Sequence, residues 1–156
     1  MSDLAILALG NPLRGDDGVG NAVLAELDRK YKLSPGVDLL YDCSSGDVLD
    51  ALLGGRYRKA IVVDAAELGR RPGEWMLFNL QNAVLSGIDM AHCGSLHDAS
   101  LAETLALGEA LSMKMPEIVI AGVQPQELRW STEISEDVRQ SIPEVCTAIY
   151  QELSTN

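Results

Sequence analysis

The feature that most constrains this chain is a glycine-rich, polar turn at residues 10–20, which follows a short apolar run. The run at residues 4–9 is typical of a buried strand, and the Gly-Asn-Pro that follows is typical of a turn that ends one. An apolar-periodic segment then begins near Val19 and predicts a helix. Strand, tight turn and helix in this order form the first half of a β-α-β unit.

The turn carries two adjacent carboxylates, Asp16 and Asp17. Either is suited to the N-cap of the following helix, where a side-chain oxygen accepts hydrogen bonds from free backbone N–H groups. One carboxylate is enough for capping. The second would point into the crevice at the carboxyl end of the strand, where open α/β sheets bind ligands. The alternative is a capped helix with one additional solvated charge.

The remaining chain alternates strands and helices, which predicts a three-layer α/β/α sandwich with a mostly parallel twisted sheet, in a single domain over residues 1–156. In the first half, the predicted elements are a helix at 18–31, a strand at 37–41, a short helix capped by Ser44 or Ser45, and a central strand at 60–63. An edge strand at 74–79 and a loop at 80–95 follow. The last predicted elements are a helix from a Ser100/Glu103 capping box to about Met113, a strand at 116–123, and a C-terminal helix with a kink or restart at Pro143.

Acidic residues follow several of the predicted strands, and the chain has only two histidines, both close to the Ser100 helix. Parallel strands end at one edge of a sheet, so we expect these side chains to converge there. Two carboxylates and one imidazole would suit a borderline divalent ion with coordination positions left open. Each residue taken alone is more simply explained as a structural group. The candidates are Asp16, Asp17, Asp42, Asp64, His92, His97 and Asp98.

The cysteines give weaker signals. None of the three lies in a CxxC pair, which argues against a disulfide framework or a zinc ribbon. Cys43 follows a predicted strand, as a nucleophile would, but Asp42 and Asp47 beside it should raise the pKa of its thiol. We therefore interpret Cys43 as structural. A cluster of His92, Cys93 and His97 stays open as a ligand set, although its spacing does not require one.

Charge and hydropathy exclude two classes of partner. The net charge of −11 argues against nucleic acid, because phosphate binding needs clustered lysine and arginine. No apolar run is long enough to span a bilayer, and the N-terminus lacks the basic region of a signal peptide. We therefore expect a cytoplasmic monomer with no nucleic-acid or membrane partner.

Four segments in order, GNPLRGDDGVG, IVVDA, SLHDASLAETL and IAGVQPQEL, resemble the nickel–iron hydrogenase maturation endopeptidases over almost the whole chain. The resemblance implies that Asp17, Asp64 and His97 bind a metal and carry the activity. It implies a cytoplasmic enzyme that trims a C-terminal peptide from the hydrogenase large-subunit precursor once nickel is in place. The DCSSG segment departs from the glycine- and threonine-rich version of the family, so the resemblance supports a role for Asp42 less than for the three ligands. Asp16 and Asp42 are expected to support the site, and the sequence leaves open whether Asp16 acts as a base, as a cap or only through the turn.

Two mechanisms follow from this resemblance. The site could hold the nickel that the precursor brings, or an ion bound to the enzyme could activate water or polarise the scissile carbonyl. We favour the first, in which nickel is a recognition element. His97 is preferred to His92 as the third ligand because the start of the next helix should fix its backbone. The rival functions are a nickel-dependent assembly chaperone that does not cut, and a general metal-dependent hydrolase.

Overall fold

The computed structural model describes residues 2–85, 98–126 and 128–155. Its elements are five strands and five α-helices. The strands are β1 (Leu4–Ala8), β2 (Val37–Leu40), β3 (Lys59–Ala65), β4 (Trp75–Asn79) and β5 (Glu117–Val123), and the helices are α1 (Val19–Lys30), α2 (Ser45–Leu53), α3 (Leu80–Leu85), α4 (Asp98–Ala110) and α5 (Glu136–Glu152).

The strands form one sheet in the order β2-β1-β3-β5-β4. The first four of these are mutually parallel, and β4 pairs antiparallel with β5 at the edge. The predicted parallel sheet and the predicted edge strand are both confirmed. The parallel strands all end at the same side of the sheet, which we call the carboxyl edge.

Two hydrophobic cores cover the two faces of the sheet. Ile61 and Val63 of β3 face α1 and α5, whereas Ala60 and Val62 face α2, α3 and α4. This alternation is the period-two pattern of a strand buried on both sides. Each fully buried aliphatic side chain contributes roughly 1.5–3 kcal/mol to the burial that holds the layers together. The three-layer prediction is therefore confirmed.

Part of the predicted loop at residues 80–95 is helical. Helix α3 occupies its start, and Leu80 is buried in the core shared with α2. A helix of six residues is too short to show a hydrophobic period, so the pattern did not indicate it. Residues 86–97 lie outside the part of the chain that the structure describes.

Two further expectations about helices, the Ser100 capping box and a restart at Pro143, are wrong. Helix α4 begins at Asp98, so Ser100 lies inside its first turn and is not the N-cap of a capping box. Helix α5 is one helix that continues through Pro143, without a restart. Ile142 and Val145, on either side of this proline, are both buried against the sheet, and this packing offsets the proline's cost of about 3 kcal/mol. In the described ranges, no helix has the length and apolarity needed to cross a membrane.

Candidate functional site

The site is built on the turn between β1 and α1. Residues Gly15–Gly18 form a short 3-10 helix that packs against β3 at the carboxyl edge. The amide of Leu9 donates to the carbonyl of Val63 at 3.0 Å, which joins the end of β1 to β3. Asp16 and Asp17 are therefore held against the sheet, and each is only 1% exposed.

The Asp17 carboxylate is buried, and only one of its two oxygens accepts a hydrogen bond from the described residues. Its Oδ2 accepts a hydrogen bond from the Asn11 amide at 2.7 Å, whereas its Oδ1 is buried and has no hydrogen-bond partner among the described residues. Gly10 makes this arrangement possible. It has a φ of +101°, and a Cβ there would lie 2.1 Å from the Asp17 carbonyl oxygen. A buried carboxylate oxygen without a donor is a natural partner for a cation.

Asp64 lies near the carboxyl end of β3, beside this turn. It is 3% exposed and pairs in register with Gly122 of β5. The alternation along β3 directs its side chain to the face covered by α2, α3 and α4. The fold therefore brings Asp17 and Asp64 to one edge of the sheet as buried carboxylates, as the strand pattern predicted.

Asp16 has a different role from the predicted cap. The N-cap of α1 is Gly18, with no side-chain hydrogen bond, because the 3-10 turn separates both carboxylates from the helix. Asp16 Oδ1 accepts from the Ser135 amide at 2.7 Å, and its Oδ2 accepts from the Gln126 amide and the Ser135 hydroxyl, each at 2.8 Å. The N-cap prediction is wrong, and Asp16 instead anchors the segment between β5 and α5.

We call this segment, of which the structure describes residues 124–126 and 128–135, the β5–α5 connector. It lies along the turn through backbone pairs: the Gly15 amide donates to the Ser131 carbonyl at 2.7 Å, and the Ser131 amide donates to the Leu13 carbonyl at 2.8 Å. The sequence pattern does not indicate Gln126 or Ser135 as partners of the turn. They lie 110 and 119 residues from Asp16, and no local pattern reports a contact at that separation.

Asp42 lies two residues after β2 and is exposed. Its Oδ1 accepts from the Asn21 side-chain amide at 2.5 Å, and its own backbone amide donates to Asn21 Oδ1 at 3.0 Å. This reciprocal pair joins the end of β2 to the first turn of α1 and holds Asp42 at a positive φ of 48°. Asp42 thus supports the edge of the sheet, and Asn21 is the partner that sequence reasoning missed.

Cys43 and the start of α2 follow Asp42 in the chain. The Ser44 hydroxyl accepts from the Asp47 amide, and the Asp47 carboxylate accepts from the Ser44 amide, so the predicted cap of α2 is confirmed as a reciprocal capping box.

Cys43 is a half-buried free thiol. Burial raises its pKa to about 11, and the charges of Asp47 and Asp42 add to this effect. These surroundings disfavour the thiolate that a nucleophile needs.

His92, Cys93 and His97 lie outside the described residues. Helix α4 begins directly after His97 and ends close to the start of β5, at the side opposite the carboxyl edge. A helix of 13 residues is roughly 20 Å long, so its first residue, Asp98, lies towards the carboxyl edge. Within residues 2–85, 98–126 and 128–155, no group of three or more His, Cys, Asp or Glu side chains is arranged to hold a metal ion.

The family model for hydrogenase maturation proteases matches residues 22–152. A hydrogenase expression/formation protein, HupD of Thiocapsa roseopersicina, is 31% identical over 129 residues, which cover 81% of this chain and 56% of that protein. The chain thus spans little more than half of this relative.

Two solved structures share the fold. The hydrogenase maturating endopeptidase HybD of Escherichia coli aligns with a TM-score of 0.79 and 19% identity over 97% of this chain and 91% of its own. The NiFe hydrogenase maturation protease HybD of Thermococcus kodakarensis aligns with a TM-score of 0.74 and 26% identity over 98% and 99%. Because the family model matches residues 22–152, this chain belongs to the hydrogenase maturation protease family.

Proposed function

We propose that this protein is an endopeptidase that removes a C-terminal peptide from the nickel-loaded large-subunit precursor of a nickel–iron hydrogenase. Membership of the maturation protease family supports the reaction class. The observation that carries the site is Asp17, a fully buried carboxylate whose Oδ1 has no hydrogen-bond partner among the described residues. A buried anionic oxygen of this kind is costly unless a cation or proton meets it.

The donor set fits a divalent ion. Asp17 and Asp64 supply two buried carboxylates at one edge, and His97, directly before α4, is proposed as the third ligand. Carboxylate and imidazole donors together suit a borderline ion such as nickel. Nickel is proposed to arrive with the precursor and so to be part of the substrate. When bound, the ion would polarise a neighbouring carbonyl or water.

The residues of this chain then perform recognition and positioning. The Asn11 amide holds the Asp17 carboxylate through Oδ2, which leaves Oδ1 as the oxygen proposed to meet the cation. Burial of Asp17 and Asp64 excludes bulk water and strengthens their attraction for a cation. A precursor without nickel would offer these carboxylates no charge to bind. This gives the cleavage its selectivity for loaded precursor.

The test is incubation of the protein with precursor, either loaded with nickel or free of it, followed by mass spectrometry. We expect the loaded precursor to lose a C-terminal peptide and the nickel-free precursor to keep its mass. Asp17→Asn and Asp64→Asn should each slow processing by about 100-fold or more. The matched control is Asp28→Asn, the same substitution at an exposed position of α1, which should process at the wild-type rate.

Three outcomes would contradict the proposal. Stable association with the loaded precursor without a change in its mass would indicate an assembly chaperone. Cleavage of small activated esters or peptides without any hydrogenase protein would indicate a general hydrolase. Equal rates of processing by Asp17→Asn and Asp28→Asn would show that Asp17 is not a residue of the site.

A further inference from the structure

Three residues beside the site form an exposed patch that the core does not require. Trp130 is 75% exposed and Leu13 is 54% exposed, and the Arg14 guanidinium lies over the Trp130 ring at 5.8 Å from its centroid. We call Leu13, Arg14 and Trp130 the Trp130 patch. Neither Leu13 nor Trp130 belongs to either hydrophobic core. Their exposure is therefore not explained by folding.

The patch is held in a fixed arrangement. Arg14 Nη2 donates to the Leu128 carbonyl at 3.2 Å, and Arg14 forms an isolated parallel bridge with Ser131. Asp16 secures the same connector through its hydrogen bonds to Gln126 and Ser135. Contact residues that are already ordered lose little conformational entropy when a partner binds. Exposed tryptophan and arginine held in this way are typical of the residues that dominate protein interfaces.

The position of the patch indicates its occupant. Leu13 and Arg14 directly precede the Gly15–Gly18 turn that carries Asp17, so the Trp130 patch adjoins the site at which the precursor is proposed to bind. A second copy of this chain is a poor candidate. Three side chains bury far less than the roughly 800 Å² per partner of a stable interface, even with about 250 Å² from the tryptophan. A substrate already held at the site needs only a few additional contacts.

We infer that the Trp130 patch binds an apolar surface of the hydrogenase large-subunit precursor, close to the segment that is cut. This inference rests on the proposed function. The tryptophan ring and Leu13 supply the apolar contact, and Arg14 holds the ring in place. The patch would therefore contribute to the affinity for the precursor and not to the rate of the chemical step.

The test compares Trp130→Ala and Leu13→Ser with Leu111→Ser. Leu111 is a matched control, because it is a leucine of similar exposure, 61%, that follows α4 at the opposite side of the sheet. For each variant we would measure kcat and KM for nickel-loaded precursor, its Kd by surface plasmon resonance, and its thermal unfolding. We expect Trp130→Ala to raise KM and Kd about tenfold, Leu13→Ser to raise them several-fold, and kcat to stay within about twofold.

Leu13→Ser leaves the Arg14–Trp130 contact in place, so the inference can be tested even if Trp130→Ala unfolds. Unchanged KM and Kd in the folded patch variants, a loss confined to kcat, or an equal loss in Leu111→Ser would overturn the inference. A wild-type dimer that Trp130→Ala converts to monomers would make the occupant a second copy, and would overturn it too. If the wild-type protein binds the precursor without cutting it, the proposed function fails, and the Kd series still decides the role of the patch. If the wild-type protein does not bind the precursor at all, both the proposed function and the inference about the Trp130 patch fail.

Discussion

Asp16 accepts hydrogen bonds from both the backbone amide and the hydroxyl of Ser135, at 2.7 and 2.8 Å. Ser135 is the N-cap residue of α5, yet its hydroxyl makes no capping hydrogen bond. The hydroxyl instead donates to a carboxylate that is 119 residues away in the chain. This pair connects the turn that carries Asp17 to the start of the last helix.

Asp16→Asn should lower the free energy of unfolding by about 1–3 kcal/mol, because an amide NH2 group would replace one acceptor and face buried donors. Ser135→Ala should cost about 1 kcal/mol, since the backbone bond remains. The double variant should lose less than the sum of the two, which urea unfolding would measure. The control pair is Asp16→Asn with Ser44→Ala, whose hydroxyl caps α2 elsewhere, and it should be additive. Additivity in the Asp16/Ser135 pair would contradict a shared interaction.

His97→Ala should abolish both metal binding and processing, whereas His92→Ala should keep most of each. His97 directly precedes α4, and a ligand next to a regular element is held more accurately than one within a loop. The positive end of the helix dipole also disfavours a protonated imidazole, which leaves the ring able to coordinate. Calorimetric titration with Ni²⁺ and a processing assay on both variants would test this. The reverse pattern, with loss only in the His92 variant, would overturn the assignment.

Cys43 should react slowly with alkylating reagents and should be dispensable for processing. With a pKa of about 11, its thiolate fraction at pH 8 is on the order of 100-fold below that of an ordinary cysteine. Mass spectrometry of iodoacetamide-treated protein would follow the labelling of Cys43 and of an unstructured cysteine peptide. Cys43→Ser should process precursor at a rate close to that of the wild type. Rapid labelling at Cys43, or a large loss of activity in Cys43→Ser, would indicate that Cys43 is a nucleophile and contradict the prediction.

Asp38 should contribute stability that is lost in acid. Hydrogen bonds from Ser2 and Tyr57 hold the pKa of its carboxyl below the ordinary aspartate value. A lowered pKa favours the folded state above the unfolded-state pKa, roughly 4, and this contribution disappears as the pH falls through the folded pKa. Asp38→Asn should therefore destabilise the protein at pH 7 and converge with the wild type in acid. Urea unfolding at pH 7 and pH 3 would show this, and Tyr57→Phe should give a smaller change in the same direction. A difference that is independent of pH would contradict the account.

The sheet could be predicted because its signals are local. The continuous apolar, largely β-branched run at residues 60–63 and the polar turn after β1 each identify an element from its own neighbours. Interactions between distant residues could not be predicted in this way. The Asp16–Ser135 pair is an example, since Asp16 alone suggests a helix cap and nothing near it in the sequence indicates Ser135 as its partner. The six-residue α3 was missed for another reason, because it is shorter than two helical periods.

The Asp16–Ser135 pair also has a consequence for how the protein is made. The turn with Asp17 follows β1, but its anchoring partner Ser135 lies directly before α5, more than 100 residues later. A nascent chain that ends before the connector would have the carboxylates without the residues that fix their turn, Gln126 and Ser135. The turn can therefore be fixed only after Ser135 has been synthesised, and loss of the Asp16–Ser135 hydrogen bonds would release the turn again.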